Sequence, residues 1–123
     1  MNQKSINTDY DRLEVHFQKI NDLRHVSAIA GWDEASMMPT GGGEARAQAM
    51  STLDVMIHQL VTEPKVGEWI DGAKAGSSLD DWQAANLREI DRTWREATCM
   101  PEDLVAANSI ARSKCEQAWR LHR

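Results

Sequence analysis

Apolar residues recur every three or four positions through most of this 123-residue chain, the spacing typical of helices with one buried face. The first stripe follows the capping sequence Asn7–Thr8, with Asp9 and Asp11 placed to oppose the positive end of a helix. It predicts a long first helix that breaks at Gly31–Trp32. The predicted inward positions are Leu13, Phe17, Ile20, Leu23, Ser27 and Ala30.

Proline and glycine interrupt the pattern after the first helix. Pro39 lacks an amide donor and Gly41–Gly43 raise the entropic cost of order, so we predict a shaped connection over Asp33–Gly43. We expect Trp32, Pro39 and the glycine run to set the angle between the flanking helices. The second helix should begin near Glu44, with apolar positions at Ala45, Ala49, Leu53, Met56, Ile57 and Leu60.

Three further helices are predicted, and two of them begin at prolines, which a first helical turn accepts. The third begins at Pro64 and closes near Gly76 and Ser77–Ser78. The fourth opens at Leu79 and Asp80–Asp81. The fifth starts at Met100–Pro101 and has no glycine or asparagine cap before Arg123. Their predicted apolar positions are Val66, Trp69, Ile70 and Ala73; Leu87, Ile90, Trp94 and Ala97; and Leu104, Val105, Ala107, Ile110, Ala111, Cys115, Ala118 and Trp119.

Composition supports an all-α fold of about five helices in antiparallel hairpins. Tyr and Phe occur once each, whereas strong helix formers recur throughout. A content of 41% hydrophobic and 27% charged residues is too apolar for disorder and too interrupted by charge for a membrane span. Residues 1–123 are therefore treated as a single helical unit.

A net charge of −5 and a pI near 5.3 argue against binding to nucleic-acid backbones, whose affinity depends on cationic side chains. Cys99 and Cys115 lie sixteen positions apart, so we expect reduced, partly buried thiols. The N-terminal residues lack the apolar core of a secretory signal, and we expect a cytoplasmic protein with no membrane partner.

Catalytic motifs are absent from this sequence. It contains no HExxH zinc motif and no GxSxG elbow. The four histidines, His16, His25, His58 and His122, are too far apart in sequence to form a local site, and we expect each on a helix surface or in a satisfied polar contact. Gly41–Gly43 lacks the Gly-Lys-Ser/Thr ending of a phosphate loop. We therefore predict no catalytic, cofactor-binding or metal-ligating residue in 1–123.

One segment nevertheless identifies a family. Gly31–Ala47 resembles the WD-x4-MP-x-GG-x3-RA signature near the N-terminus of carboxypeptidase Taq family zinc metallocarboxypeptidases. The resemblance continues in order from about residue 10 to 120. The matching positions are Leu53, His58, Leu60–Thr62, Asn86–Ile90, Trp94, Ala97–Thr98, Met100–Pro101, Asp103–Val105 and Glu116–Trp119.

The resemblance implies an all-helical, cytoplasmic, homodimeric exopeptidase of roughly 500 residues, of which 1–123 would be about the first quarter. It implies that zinc and an HExxH glutamate hydrolyse peptide or protein C-termini in the whole enzyme, and that both lie after Arg123. The early helices would form part of the wall or lid of its groove. The present chain would then be inactive and free of zinc.

A self-contained acidic helical module that binds a protein partner is the alternative. Its support is the amphipathic pattern and the charge, which fit it equally well. It does not account for the ordered run of family motifs. On the family interpretation, the uncapped pattern at Arg123 marks an imposed boundary, and we expect exposed apolar surface and self-association.

Overall fold

The computed structural model describes residues 8–76 and 78–122. Those residues form helices and no strand, which confirms the predicted all-α class. The α-helices are α1 (Asp9–Ser36), α2 (Gly43–Val61), α3 (Pro64–Ala75), α4 (Asp81–Thr98) and α5 (Glu102–His122), with a short 3-10 helix over Thr40–Gly42. Helix α1 packs against both α2 and α3, α3 packs against α4, and α5 packs mainly against α2. Asn7, Ser77 and Arg123, which entered the boundary predictions, lie outside the described residues.

Local chemistry explains where these helices begin. The Thr8 hydroxyl accepts the backbone N–H of Asp11 at 3.1 Å, and the Asp11 carboxylate accepts the Thr8 N–H in return. Asp80 and Gln83 form the same reciprocal capping box at the start of α4. Because each box satisfies two amides that the helix leaves unpaired, it fixes the boundary within the local sequence. The predicted starts near Thr8, Pro64 and Asp80 are confirmed.

The predicted break of the first helix at Gly31–Trp32 is wrong, because α1 continues to Ser36. An isolated glycine costs a helix only about 1 kcal/mol relative to alanine, which neighbouring contacts can offset. The helix ends before Met38, where the following Pro39 disfavours helical geometry. The connection is therefore much shorter than Asp33–Gly43, and α2 starts at Gly43 rather than Glu44.

The apolar core lies where the first half of α1 meets α3, α4 and the end of α2. Every predicted large aliphatic or phenyl position from Leu13 to Ile20 on α1 is buried, as are Val66 and Ile70 on α3 and Ile90 on α4. This confirms the apolar stripes of those helices. We call this cluster the apolar core; its buried members are Tyr10, Leu13, Phe17, Ile20, Val61, Val66, Ile70, Ala73, Leu87 and Ile90.

The predicted inner face of α5 is wrong, and that of α2 is confirmed only in its second half, where Ile57 and Leu60 pack against the apolar core. On α2, Ala45, Ala49 and Met56 are exposed. On α5, Leu104 and Trp119 are 49% and 57% exposed. The remaining predicted α5 positions are also exposed or only half-buried, and the two buried α5 residues are serines. We call the closely packed region where α5 meets α2 and the end of α1 the polar seam; its buried residues are Glu34, Gly43, Ala47, Met50, Ser51, Ser109 and Ser113.

The tryptophans and cysteines divide along the same lines. Trp69 and Trp94 are half-buried beside the apolar core, but the prediction that Trp119 is a core residue is wrong. Cys99 and Cys115 are free thiols as expected, although both are exposed rather than partly buried. In the part of the chain that the structure describes, no helix combines the length and apolarity needed to cross a bilayer.

Candidate functional site

The signature segment Gly31–Ala47 forms the corner between α1 and α2. Arg46 on α2 donates one hydrogen bond to the backbone carbonyl of Ala30 at 2.8 Å and forms an ion pair with Asp33 at 2.6 Å. The guanidinium thus binds both a helix carbonyl and a carboxylate one turn apart, which its forked geometry allows. The aspartate and arginine of the signature therefore act together to fasten the last turns of α1 to the start of α2.

The glycine run within the corner is not uniform. A Cβ on Gly41 would meet nothing within 4 Å, whereas one on Gly43 would lie 2.0 Å from the Gln117 side-chain oxygen. Gln117 also donates to the Gly43 carbonyl at 3.3 Å. Gly43 thus permits α5 to approach the start of α2. Trp32 is 65% exposed, so the expectation that it helps set the angle between the helices is wrong.

Glu34 is the one buried carboxylate on the polar seam. The residue is 6% exposed, and its carboxylate accepts a single hydrogen bond, 3.3 Å long, from the Ser113 hydroxyl. Arg120 donates to the backbone carbonyl of Glu34. These contacts connect α5 to the last turn of α1, and residues 8–76 and 78–122 supply no further donor for the remaining acceptor capacity of the carboxylate.

A cleft of about 520 Å³ opens beside Glu34, between the end of α1, α2 and α5. Arg112, Glu116 and Cys115 contribute polar lining, while Met50 and Trp119 contribute apolar surface. Arg112 forms no ion pair within the described ranges. The cleft is therefore a mixed surface in which a buried acid stands behind more exposed side chains.

The polar seam has further hydrogen bonds along its length. Ser109 donates to the Asp54 carboxylate at 2.6 Å, and Ser51 donates to the Ala106 carbonyl at 3.2 Å. Small residues on both helices let the backbones approach closely enough for these bonds. The seam thus depends on a matched set of small and polar side chains rather than on bulk.

The histidines do not converge. The Nε2 atom of His16 lies 2.7 Å from the Leu60 carbonyl, to which it donates, and the imidazole ring stands edge-on to Trp69 with centroids 5.8 Å apart. His25 and His122 are exposed, and His58 is half-buried on another helix. Within residues 8–76 and 78–122, no group of three His, Cys, Asp or Glu side chains could hold a metal ion.

A cluster of charged side chains lies away from the signature, where α3 meets α4. Lys74 donates to the Asp91 carboxylate at 2.8 Å, and Arg95 forms an ion pair with the same group at 3.0 Å. The hydrogen bond from Lys74 holds the pKa of Asp91 below its ordinary value of 3.8, although burial opposes this effect. This cluster joins two helices and has no geometry suited to catalysis.

Comparison with known proteins assigns the signature. The family description "Carboxypeptidase Taq (M32) metallopeptidase" matches residues 12–123. The chain belongs to this family. It is 33% identical over 100 residues to Thermostable carboxypeptidase 1 of Thermus thermophilus, covering 79% of this chain and 20% of that protein. It is 27% identical over 103 residues to Thermostable carboxypeptidase 1 of Pyrococcus furiosus, covering 84% of this chain and 21% of that protein.

The chain thus spans about a fifth of the length of these two curated relatives. No solved structure gives a significant match. The family assignment predicted from Gly31–Ala47 is confirmed.

Sequence reasoning missed the seam residues of this M32 chain. Glu34 continues the helical register of Ser27 and Ala30, so extending α1 beyond Gly31 would have placed it inward. Ser109 and Ser113 are four residues apart and share a helix face, which is the signal that could have found them. That signal is weak because serine pairs are equally common on solvated faces.

Proposed function

We propose that this chain is the N-terminal helical region of a longer zinc-dependent metallocarboxypeptidase. In that enzyme it forms part of the wall or lid of the groove that admits peptide C-termini. The observation that carries this proposal is the family match over residues 12–123, joined to coverage of only 20% of the Thermus thermophilus relative. The enzyme is cytoplasmic and homodimeric in this proposal, and it needs no nucleic-acid or membrane partner.

The outward faces of the chain support a role within a larger protein. The last three turns of α1 carry Val26, Ile29 and Trp32 at helical spacing, each more than half exposed. On α5, Leu104, Trp119 and Leu121 are also exposed. Exposed apolar side chains on two helices are typical of surfaces that pack against other protein.

The metal chemistry of the family does not fit the described residues of this chain. No three His, Cys, Asp or Glu side chains among the described residues are grouped so that they could hold a metal ion, and His16 already donates to the Leu60 carbonyl. No hydrolytic step is assigned to these residues. The role of these helices is to shape and restrict the groove, while a metal site built from other residues supplies the chemistry that polarises a peptide carbonyl.

Peptidase assays on the purified 123-residue chain test the predicted inactivity. The chain would be incubated with zinc and unblocked peptides, and release of C-terminal amino acids would be followed by mass spectrometry. We expect no release above a no-protein control and less than one tenth of an equivalent of bound zinc after dialysis. Zinc-dependent release by this chain would contradict the proposal.

The reading frame beyond codon 123 tests the proposed parent. An HExxH motif downstream would support the longer enzyme, whereas a stop codon directly after Arg123 would favour the self-contained interaction module.

In the longer protein, Arg46→Gln should reduce kcat/KM or stability by loosening the α1–α2 corner, with Arg92→Gln as the exposed control. Equal behaviour of the two variants would show that the corner does not support the groove.

A further inference from the structure

The Glu34 cleft places a buried carboxylate with few hydrogen-bond donors beside an open space. Glu34 is 6% exposed and lies in the last turn of α1, and among the described residues its carboxylate accepts one hydrogen bond, 3.3 Å long. The C-terminal end of a helix favours nearby positive charge. The last turn of α1 contains no basic residue to supply it.

The two nearby arginines, Arg112 and Arg120, do not form an ion pair with the Glu34 carboxylate among the described residues. Arg120 binds its backbone carbonyl, and Arg112 lines the cleft without forming an ion pair within the described ranges. About 520 Å³ of space remains beside the carboxylate, enough for a side chain of lysine or arginine length. Met50 and Ala35 line the same space and offer contacts for an alkyl stem.

We propose that the Glu34 cleft receives a guanidinium or ammonium group carried on an apolar stem, supplied by a basic side chain from a later segment of the longer enzyme. The choice of a later segment as the source of this side chain rests on the proposed function. A later segment is favoured because the chain covers only about a fifth of the length of its relatives. In addition, α5 forms one wall of the cleft and exposes apolar side chains. Glu34 would thus be a docking residue that fixes the position of the N-terminal helices relative to the rest of the enzyme.

Agmatine, a guanidinium on a butyl chain with a distal amine, is a suitable probe on the 123-residue chain. Titration followed by 15N–1H NMR should give saturable shifts at residues 31–35 and 112–119, with affinity in the millimolar range. Neutral n-butanol should give less than a fifth of those shifts. Glu34→Gln should weaken agmatine binding at least tenfold, while Glu116→Gln should weaken it less than threefold.

Arg112→Gln separates this proposal from an anion-binding cleft. If the cleft takes a cation, removing a competing positive charge should leave agmatine binding unchanged or strengthen it. A loss of binding in Arg112→Gln, or equal binding by the parent and Glu34→Gln, would overturn the proposal. Circular dichroism of each variant establishes that it has kept its helices.

The cysteines provide an independent measurement, because Cys115 lines the cleft and Cys99 does not. The rate of thiol modification by cationic aminoethyl methanethiosulfonate would be divided by that of the neutral methyl reagent at each cysteine. We expect this ratio to be at least threefold higher at Cys115, and to fall to the Cys99 value in Glu34→Gln. Equal ratios at both sites in the parent would count against the cleft.

These measurements need no peptidase activity, so their failure is distinguishable from failure of the proposed function. Size-exclusion chromatography with light scattering tests the other occupant, a second copy of the chain. A dimer that dissociates on Glu34→Gln would show that the cleft is filled by a copy, which would overturn the choice of a later segment. A monomer in which agmatine binds through Glu34 would support it.

Discussion

The apolar core and the polar seam join helices by different kinds of contact. In the core, Leu13, Ile20 and Val66 are completely buried among other apolar side chains. In the seam, Ser109 and Ser113 are the buried residues of the last helix, and Glu34 faces them. The core gains stability from area removed from water, whereas the seam gains position from hydrogen bonds and close backbone approach.

This difference indicates a division of labour within the M32 chain. Aliphatic packing tolerates rearrangement as long as volume is kept, so it stabilises without fixing one arrangement. The Arg46–Asp33 ion pair and the Gly43–Gln117 contact each require particular atoms in particular places. The signature of the family lies at the seam, where position is specified, and not in the apolar core.

The largest expected effect comes from emptying the core. Ile20→Ala should lower the free energy of unfolding by about 3 kcal/mol, because it removes a fully buried side chain and leaves a cavity. Urea denaturation followed by circular dichroism measures the change. Ile29→Ala on the same helix is the matched control, since Ile29 is 56% exposed and should change stability by less than about 0.5 kcal/mol. Equal losses of stability in the two variants would show that α1 does not bury one face in preference to the other.

Alanine substitutions at two helical glycines, Gly67 and Gly31, should change the free energy of unfolding in opposite directions. Gly67→Ala should lower the free energy of unfolding by about 1–2 kcal/mol, because the new Cβ would lie 2.7 Å from the Trp94 ring beside the core. Gly31→Ala should raise it by about 0.5–1 kcal/mol, because that Cβ meets nothing within 4 Å and alanine favours the helix. Thermal denaturation of both variants would show the reversal; a loss of stability in Gly31→Ala would contradict the open surface there.

Within the polar seam, the serine with the shorter hydrogen bond should lose more stability when it is replaced by alanine. Ser109→Ala should lower the free energy of unfolding by about 1 kcal/mol, because it removes a 2.6 Å bond to the Asp54 carboxylate. Ser113→Ala should cost less, since its bond to Glu34 is 3.3 Å long. Urea denaturation of the pair gives the comparison. A larger cost for Ser113→Ala would mean that Glu34 depends on this hydroxyl far more than the geometry indicates.

The smallest expected effect is a pH-dependent one at the Lys74–Asp91 contact. Because the pKa of Asp91 is lowered in the folded chain, the contact stabilises above the ordinary value of 3.8 and is lost as pH falls through the lower folded value. Lys74→Gln should therefore cost roughly 0.5 kcal/mol at pH 6, as expected for a partly exposed ion pair, and less at pH 3. Urea midpoints at both pH values measure this difference.

Asp91→Asn is the control for that contact. In its background, Lys74→Gln should have the same effect at pH 6 and pH 3, because the titrating partner has been removed. A pH dependence that persists in Asp91→Asn would assign the effect to another group.

The helices could be read from the sequence because their signals are local. Thr8 with Asp11 and Asp80 with Gln83 form capping boxes within four residues, and Pro64 sets the start of α3. The apolar stripe from Leu13 to Ile20 was equally clear, since those positions have a single inward face. The family could be identified because the signature is a contiguous string.

The interior face of the last helix could not be read in the same way. Leu104 and Trp119 are the kind of side chains that usually mark a buried face, yet both are exposed here. Ser109 and Ser113 are buried because α2 presents Asp54 and the end of α1 presents Glu34. Such partners lie 55 and 79 positions away, so no window of sequence contains both sides of the contact.

The sequence by itself therefore determined that the chain is helical, where most helices begin and which family it joins. Capping, proline geometry and helical periodicity all act over a few residues, which is why they are legible along the chain. Only the tertiary structure decided which face of α5 turns inward, that Gly43 is the glycine of close approach, and that Glu34 is buried beside a cleft. Those outcomes depend on which helices come together, because a helix with apolar and small residues on different faces buries the face that its partner fits.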